Sequence, residues 1–584
     1  MDLSRRRRFI FELDALVDLL DEDFDDPDSA TASHAGVPDP LLAELGRGRT
    51  SRMRDVAATI QREQDEIIRA PANRCLIVQG GPGTGKTAVG LHRAAFLLFE
   101  ERERLTRDGV LILGPNKLFL SYISEVLPTL GERSVRQATI ETLIGKYEID
   151  GLDSQEVAAI KGGSRMADVI RSACMDSVSA VCEAIEFPVG LRLLRVPGER
   201  VDAERRRAMA SVAPWNVRRT LFRDGVLRAA LQDVPDDAMI TVEELGKGLV
   251  SGLARRQLDR YWKPTAPEAL IRRLLTSQGT LERAGAGLLT PEEQAVVLRK
   301  PRRKGECERW TRHDLALLDE AESFVQGHTR RYGHIVVDEA QDLTAMELRL
   351  IGRRASGGSM TVLGDLAQAT RPGAASKWEE VAEHLAPPSD AVFLSLTVGY
   401  RLPAQILTYA NRLLPTAAPG VTPTRSIREE GGLPTGLLCS KADLAFDVAS
   451  HTEELVTRYN TVAVILPASV TGDIVAALVG RGLTFSTDAS AALDGHIAVL
   501  SPQAAKGLEF DAVLVVEPVQ IIESGEAGGR ALFVALTRAV QELVIISTAP
   551  LPALLSLPAA LLSDAGMSSD DEPVDSNLTL RTVV

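Results

Sequence analysis

Residues Gly80–Thr87 read GGPGTGKT, a glycine-rich run closed by a lysine and a hydroxyl side chain. Glycines at this spacing let backbone N–H groups turn inward around phosphate, a lysine in this place neutralises the terminal phosphates, and the hydroxyl after it ligates Mg²⁺. Gly80, Gly81, Pro82, Gly83, Thr84, Gly85, Lys86 and Thr87 are therefore the expected cradle of a nucleoside triphosphate, with Thr87 a metal ligand. The apolar run Cys75–Gln79 before the loop and the helical pattern through Phe99 after it supply the strand and helix that such a loop joins. An incidental glycine-rich turn would need neither flank.

A second chemical element is HIVVDEAQD, residues 334–342. A hydrophobic strand here delivers Asp338 to a sheet edge, where its carboxylate can hold Mg²⁺ through water, and sets Glu339 beside it as the base that orients an attacking water. Two adjacent carboxylates repel each other unless a cation lies between them and the phosphates. Asp342 fits a helix N-cap better. Paired with Lys86 and Thr87, this run points to an ATP-hydrolysing motor of the RecA type, with ATP and Mg²⁺ as its cofactors. Further on, MTVLGDLAQ places Gln368 after a strand, where its amide can sense the γ-phosphate. Arg401, in LSLTVGYR, and Arg538, in LFVALTRA, are the residues a second domain would extend into the nucleotide cleft. Such an arginine finger contributes about 10³ to 10⁵ in rate; a buried ion-pair arginine is the alternative for either.

These residues need a scaffold of alternating strands and helices. At 584 residues the chain is too long for one hydrophobic core, so several domains are expected. The fold class read from the pattern is α/β, two RecA-like P-loop NTPase domains with a mainly helical insertion in the first. The expected division is an N-terminal helix and linker at 1–50, the first RecA-like domain at 51–144 and 326–393, the insertion at 145–325, the second RecA-like domain at 394–560 and an acidic tail at 561–584. Strand patterns in the second block fall at 462–466, 497–501, 512–518 and 543–547. The N-terminal run from Arg5 reads as a short amphipathic helix rather than a leader, because Glu12, Asp14 and Asp18 interrupt its apolar stretch. Residues 21–40 read as a linker, and Arg47–Ala70 as a helix with Ile60, Ile67 and Ile68 toward a core. Another helix is expected after GVLILGP, from Asn116 and Lys117 through Phe119 and Tyr122.

A net charge of −14 argues against indiscriminate coating of nucleic acid, so any phosphate partner must be met by a local basic groove. The run RKPRRK at 299–304 is the strongest basic cluster, read equally well as a phosphate contact or a solvated loop. Five cysteines without a CxxC pair indicate reduced thiols in a cytoplasmic protein. No apolar run reaches 18 residues, so no membrane partner is expected.

In order and spacing, GGPGTGKT, VVDEAQD, GDLAQ, GYR, QAAKGLEFD (503–511) and VALTRA resemble the motif set of superfamily 1 helicases of the UvrD/Rep kind, over nearly all of residues 50–550. The resemblance implies two domains that close on ATP and open as hydrolysis proceeds, and a monomeric motor is expected. It also implies that a glutamine just upstream of the P-loop reads the adenine edge, since an amide donates and accepts at once; Gln64, within QREQ, is the residue chosen. Glu509 and Arg401 match residues that contact ribose or phosphate, and Asp365 with Gln368 matches the pair that couples nucleotide to the strand path.

Several departures narrow the resemblance. Helicases of this kind follow the GDxxQ element with an aromatic-rich run whose ring stacks on a base, each stack contributing about 1 to 3 kcal/mol. Here the run is ATRPGAASKW, with no aromatic until Trp378, and the interval Arg401–Lys506 is too short for the large accessory domain of their second half. Together with RTSRMRDVAATIQREQDEIIRAP, WTRHDLALLDEA and RSIREEGG, these features resemble HelD-type ATPases, actinobacterial relatives that bind RNA polymerase and use ATP to release stalled or nucleic-acid-bound enzyme, some being linked to rifamycin tolerance. That family carries a long N-terminal coiled-coil arm, whereas fewer than fifty residues precede the motor here, so a short variant or a missing start is expected. Two functions follow as expectations: a polymerase-remodelling ATPase whose insertion contacts RNA polymerase, or a DNA helicase or translocase acting in repair. A non-catalytic scaffold is disfavoured because every catalytic position is filled.

Overall fold

The N-terminal pattern expected as a helix is a pair of strands in the computed structural model of the chain. Arg5–Glu12 (β1) and Ala15–Asp23 (β2) run antiparallel, with Arg5, Arg6 and Arg7 at positions paired to Asp23, Glu22 and Asp21. Of the acids that interrupt the apolar run, Asp18 is paired to Ile10 and Glu12 to Ala15. The structure describes residues 5–12, 15–23, 62–116, 120, 135–180, 183–189, 192–232, 253–303, 308–327, 329–385, 391–429, 431–487, 497–557 and 562–564. Residues 21–23 of the linker expected at 21–40 end β2; the rest of it, the first part of the Arg47–Ala70 helix with Ile60, the residues Lys117, Phe119 and Tyr122, Lys304, and the tail from 565 lie outside the described residues. By its contacts the chain forms two units, Met1–Gly80 with Gly85–Leu396, and Gly81–Thr84 with Thr397–Val584.

In the first unit a helix at 62–69 (α1) leads to Cys75–Gly80 (β3), the P-loop helix Lys86–Glu100 (α2), Val110–Leu113 (β4) and Val135–Ala138 (β5). The chain then enters the insertion, whose elements include Gln155–Gly162 (α3), Arg165–Met175 (α4), the hairpin Ile185–Val189 (β6) and Arg192–Val196 (β7), Trp215–Leu231 (α5) and Arg312–Gln326 (α6). It returns through His334–Val337 (β8), Ala345–Gly352 (α7), Met360–Gly364 (β9), Trp378–Leu385 (α8) and Ala391–Leu396 (β10). Six strands pair in the order β10-β3-β9-β8-β4-β5, all parallel. Strands β4, β8 and β9 are buried throughout and apolar but for His334 and Thr361, as a parallel sheet covered on both faces requires. Leu394–Leu396, which the pattern assigns to the second block, instead end β10, an edge strand paired to β3; an apolar run carries no mark of which sheet it joins.

The insertion is mainly helical, with the β6–β7 hairpin as an addition that its composition did not announce. Its core gathers Trp215 and Trp262, whose ring centroids lie 4.9 Å apart, with Phe222 and Phe324 against them. The chain enters and leaves this module side by side, where Ile149 bridges Trp310 and the Asp150 N–H donates to the Trp310 carbonyl at 3.1 Å. A buried ionic cluster closes the same place: Lys161 Nζ lies 2.7 Å from Asp153 Oδ1 and 2.8 Å from Asp314 Oδ1, and Arg299 Nη1 donates to Asp314 Oδ2 at 2.9 Å. Arg299, the first residue of the basic run read equally as a phosphate contact or a solvated loop, is engaged inward and lies over the Trp310 ring, while Lys300, Arg302 and Arg303 are exposed.

The second unit contains Val398–Pro403 (β11), Arg425–Arg428 (β12), Thr435–Leu438 (β13), Val462–Ile465 (β14), Ile497–Leu500 (β15), Phe510–Val516 (β16), the helix Gly528–Leu536 (α9), Ala539–Ser547 (β17) and Leu562–Asp564 (β18). Strands β11 and β12 pair with each other, and the rest form a parallel sheet in the order β15-β14-β16-β17-β13-β18. Two parallel sheets with helices between their strands are the fold of two RecA-like domains. Among the described residues no helix is long and apolar enough to cross a membrane, and Cys75, Cys174 and Cys439 are buried free thiols.

Candidate active site

In an open parallel sheet the strand ends supply the ligand crevice, and in the first unit Gln79, Asp338 and Asp365 stand at or next to the ends of β3, β8 and β9. Between β3 and α2, Gly83 and Gly85 have φ of 71° and 80°, a left-handed backbone that residues with a Cβ rarely adopt. Gly85 is the N-cap of α2, so Lys86 and Thr87 occupy the first turn, where backbone N–H groups have no helical partner and the dipole favours an anion.

The Thr87 hydroxyl donates to Asp338 Oδ2 at 2.6 Å, and the Glu339 N–H donates to Asp338 Oδ1 at 2.8 Å. The Asp338 N–H is fixed on the Leu113 carbonyl at the end of β4, 2.9 Å away. Burial, and next the Glu339 charge, push the Asp338 carboxyl up to about 6, while the Thr87 hydroxyl and the Lys86 charge pull the other way. A half-buried hydroxyl oxygen and two neighbouring carboxylates that disfavour each other's charge are the hard-oxygen set that fits Mg²⁺, so Thr87 and Asp338 are suited as its holders. Glu339 sits at φ 54° and ψ 37°, a left-handed backbone that costs a non-glycine residue about 1 to 3 kcal/mol and is typical of functional positions.

What holds Glu339 is a set of side chains that spacing alone did not single out. Gln341 Nε2 donates to Glu339 Oε2 at 2.6 Å, and Gln341 Oε1 accepts from the Asp365 N–H at 3.0 Å. Asp365 in turn accepts from Gln79 Nε2 at 2.9 Å and from Gln368 Nε2 at 2.8 Å. Gln79 Oε1 accepts from the Leu366 N–H at 3.1 Å and from the Trp378 indole N–H at 2.8 Å. A Cβ on Gly364 would come within 2.3 Å of Gln341 Oε1 and 2.6 Å of Trp378 Cη2, so the relay is packed against bare backbone. Gln368 is buried and turned onto Asp365. The one available signal for Gln79 was its polarity in the apolar run CLIVQ.

Asp342 is not an N-cap. Its Oδ1 accepts from the Thr370 N–H at 3.2 Å, and the cap of α7 is Thr344, which forms a reciprocal capping box with Glu347. A cavity of about 20 Å³ opens beside it, lined by Pro115, Arg312, Asp338, Glu339, Asp342 and Arg371 among others, room for one water at the carboxylates. Gln64 is half-buried on α1, and Ile67 of the same helix packs with Leu76, Val78 and Val89.

In the second unit the Thr84 hydroxyl donates to the Gly81 carbonyl at 2.9 Å, and the Tyr400 N–H donates to the Gly83 carbonyl at 3.1 Å. Arg401 is exposed and pairs with Glu509, Nη1 to Oε1 at 3.3 Å, so two residues chosen for the nucleotide meet each other. Arg538 is buried and donates to the carbonyls of Val534 and Leu508 at 3.0 and 3.1 Å and to the Thr537 hydroxyl at 3.2 Å. The first unit thus brings together Thr87, Asp338, Glu339, Asp365 and Gln368, and the second brings together Arg401 and Glu509.

Residues 64–374 match the family model of an AAA domain, and residues 496–546 match that of a UvrD-like helicase C-terminal domain. No curated protein matches the chain. Among solved structures, the C-terminal domain of a possible DNA helicase from Lactobacillus plantarum WCFS1 is 23% identical, over 28% of this chain and 98% of that one, with a TM-score of 0.23. Since the AAA match spans more than half of the chain and the UvrD-like match follows it, the chain belongs to the AAA-domain family and is a UvrD/Rep-like superfamily 1 protein.

Proposed function

We propose that the chain is an ATP-hydrolysing superfamily 1 motor of the HelD type, which binds RNA polymerase and remodels or releases stalled, nucleic-acid-bound polymerase. The hydrolytic reading rests on the 2.6 Å contact of Thr87 with Asp338 beside a Glu339 held in place by Gln341. Lys86 neutralises the terminal phosphates, and Thr87 and Asp338 hold the cation. Mg²⁺ bound there would offset the charge that develops on the phosphate oxygens. Glu339, its other carboxylate oxygen fixed by Gln341, orients water for attack and takes its proton. Gln368 leaves Asp365 for the γ-phosphate, and Arg401 and Arg538 serve as fingers from the second domain. Gln64 reads the adenine edge and Glu509 the ribose. A link to rifamycin tolerance belongs to the same reading.

A protein partner is favoured over a DNA track by Trp378. It is the first aromatic after GDLAQ, and it is buried with its N–H on Gln79, which removes it as a stacking platform for a base. The second reading, a UvrD/Rep-like DNA translocase acting in repair, draws on the UvrD-like C-terminal match. Phosphate release measured with single-stranded DNA and separately with core RNA polymerase separates the two. Binding and stimulation by polymerase are expected; strong stimulation by DNA with no polymerase binding overturns the polymerase reading. Lys86→Ala should abolish turnover in a folded protein, and survival of turnover would remove the site assignment.

A further inference from the structure

Arg93, on the P-loop helix α2, is fully buried, yet among the described residues no carboxylate bonds it. Its Nη1 donates to the carbonyls of Ile67, Ile68 and Ala70 at 2.9, 3.0 and 2.6 Å, and its Nη2 to that of Pro71 at 3.1 Å. All four carbonyls lie at or just beyond the C-terminal end of α1, where a helix leaves carbonyls without internal partners and carries its negative pole. Burial lowers the Arg93 pKa only to about 10, so the guanidinium stays charged near neutrality and the helix end is its counter-charge.

Behind Arg93 runs a buried chain with one direction. The Ser359 hydroxyl donates to the Ala72 carbonyl, which can only accept, so that serine oxygen must accept from His334 Nδ1 at 2.8 Å. Neutral His334 then has its lone pair on Nε2, and the Thr361 hydroxyl donates to it at 3.0 Å. Thr361 Oγ1 is left to accept from Arg93 Nε, 2.8 Å away. Segment 67–72, which joins α1 to β3, is therefore gripped near both ends.

We infer that Arg93 and the Thr361–His334–Ser359 chain set nucleobase selectivity by clamping α1, and with it Gln64, onto the P-loop helix. The inference rests on the reading of Gln64 as the adenine contact. Gln64 lies three and four residues before Ile67 and Ile68, on the turn directly above the clamped carbonyls. Arg93 is a positioning residue: it does not touch the nucleotide but fixes the helix whose amide does. A lysine would keep the charge and lose the planar fork that spans several carbonyls.

The test compares KM and kcat for ATP and GTP in Arg93→Lys, Thr361→Val, Thr361→Ser and Gln64→Ala, each verified as folded by circular dichroism. Arg93→Lys and Gln64→Ala are expected to raise KM for ATP by about tenfold and to bring the ATP and GTP values together, with the effect on KM rather than kcat. Thr361→Val removes the Nε acceptor while sparing the four carbonyl contacts and should move selectivity in the same direction; Thr361→Ser should restore it. Wild-type selectivity in folded Arg93→Lys and Thr361→Val overturns the clamp, as does unchanged selectivity in Gln64→Ala. If Lys86→Ala retained turnover, the nucleotide site itself would be misassigned; if it is dead while the Arg93 and Thr361 variants discriminate normally, only the clamp fails.

Discussion

Thr87 and Asp338, 251 positions apart in the chain, meet through a hydrogen bond of 2.6 Å. The contact joins the first turn of the P-loop helix to the end of β8, so the two groups proposed to hold the metal already meet without a cation. Thr87→Ser keeps the hydroxyl and should keep activity, whereas Thr87→Ala should raise the Mg²⁺ concentration for half-maximal hydrolysis by about 10-fold to 100-fold. Phosphate release across a Mg²⁺ series checks this; equal requirements in the two variants would remove Thr87 from the metal site.

Gly364→Ala should uncouple hydrolysis from binding. The added Cβ would lie 2.3 Å from Gln341 Oε1, so Gln341 must swing away and release both Glu339 and the Asp365 N–H. A displaced general base costs turnover while leaving the phosphate cradle intact, so kcat should fall by about 10²-fold with nucleotide affinity little changed. Trp378→Phe is the milder companion: it keeps a ring and removes only the donor to Gln79, for a loss of about 1 kcal/mol in stability. Single-turnover hydrolysis and titration with a fluorescent nucleotide separate the two effects.

The candidate nucleotide residues were legible because each follows an apolar strand at a spacing that phosphate chemistry demands. Lys86, Thr87, Asp338 and Glu339 could be picked out as candidates without tertiary information. Gln79 and Trp378 could not: their contact spans 299 positions, and a lone glutamine or tryptophan has no period to betray its partner. Leu394–Leu396 were assigned to the wrong sheet for the same reason, since pairing with β3 is a non-local choice. At the N-terminus a short charged apolar run fits a helical and a strand period alike, and the antiparallel partner that distinguishes the two, Ala15–Asp23, is not marked in the pattern of Arg5–Glu12. Arg299 was read with its basic neighbours as a phosphate contact or a solvated residue alike, yet its partner Asp314 lies 15 positions away.

Lys161→Met should loosen the insertion. Burial works against the charge on Asp153, but His313, Lys161 and Thr311 together hold its carboxyl well below the usual carboxylate range. Removing the ammonium leaves two buried carboxylates without it, a change that costs about 3 to 5 kcal/mol when one partner of a buried pair is lost. Limited proteolysis should show cleavage within the insertion before cleavage elsewhere, with Lys161→Arg much less affected. Equal resistance of Lys161→Met and the parent would show that Arg299 alone holds the cluster.

His334 makes the stability of the first unit depend on acid. Burial, and after it the charges of Arg93 and Arg104, push its pKa down from 6.5 to about 3. Between those values the unfolded chain binds a proton that the folded chain refuses, so stability falls as pH drops, by up to about 1.4 kcal/mol per unit. The contribution is complete above 6.5 and is lost progressively toward 3. His334→Asn cannot titrate. It should melt well below the parent at pH 7.5, where the parent keeps its full chain from Thr361 to Ser359, and the gap in Tm should narrow at pH 5, where the parent alone bears the protonation penalty. A gap that stays constant between those two conditions would mean that His334 is not held neutral in the fold.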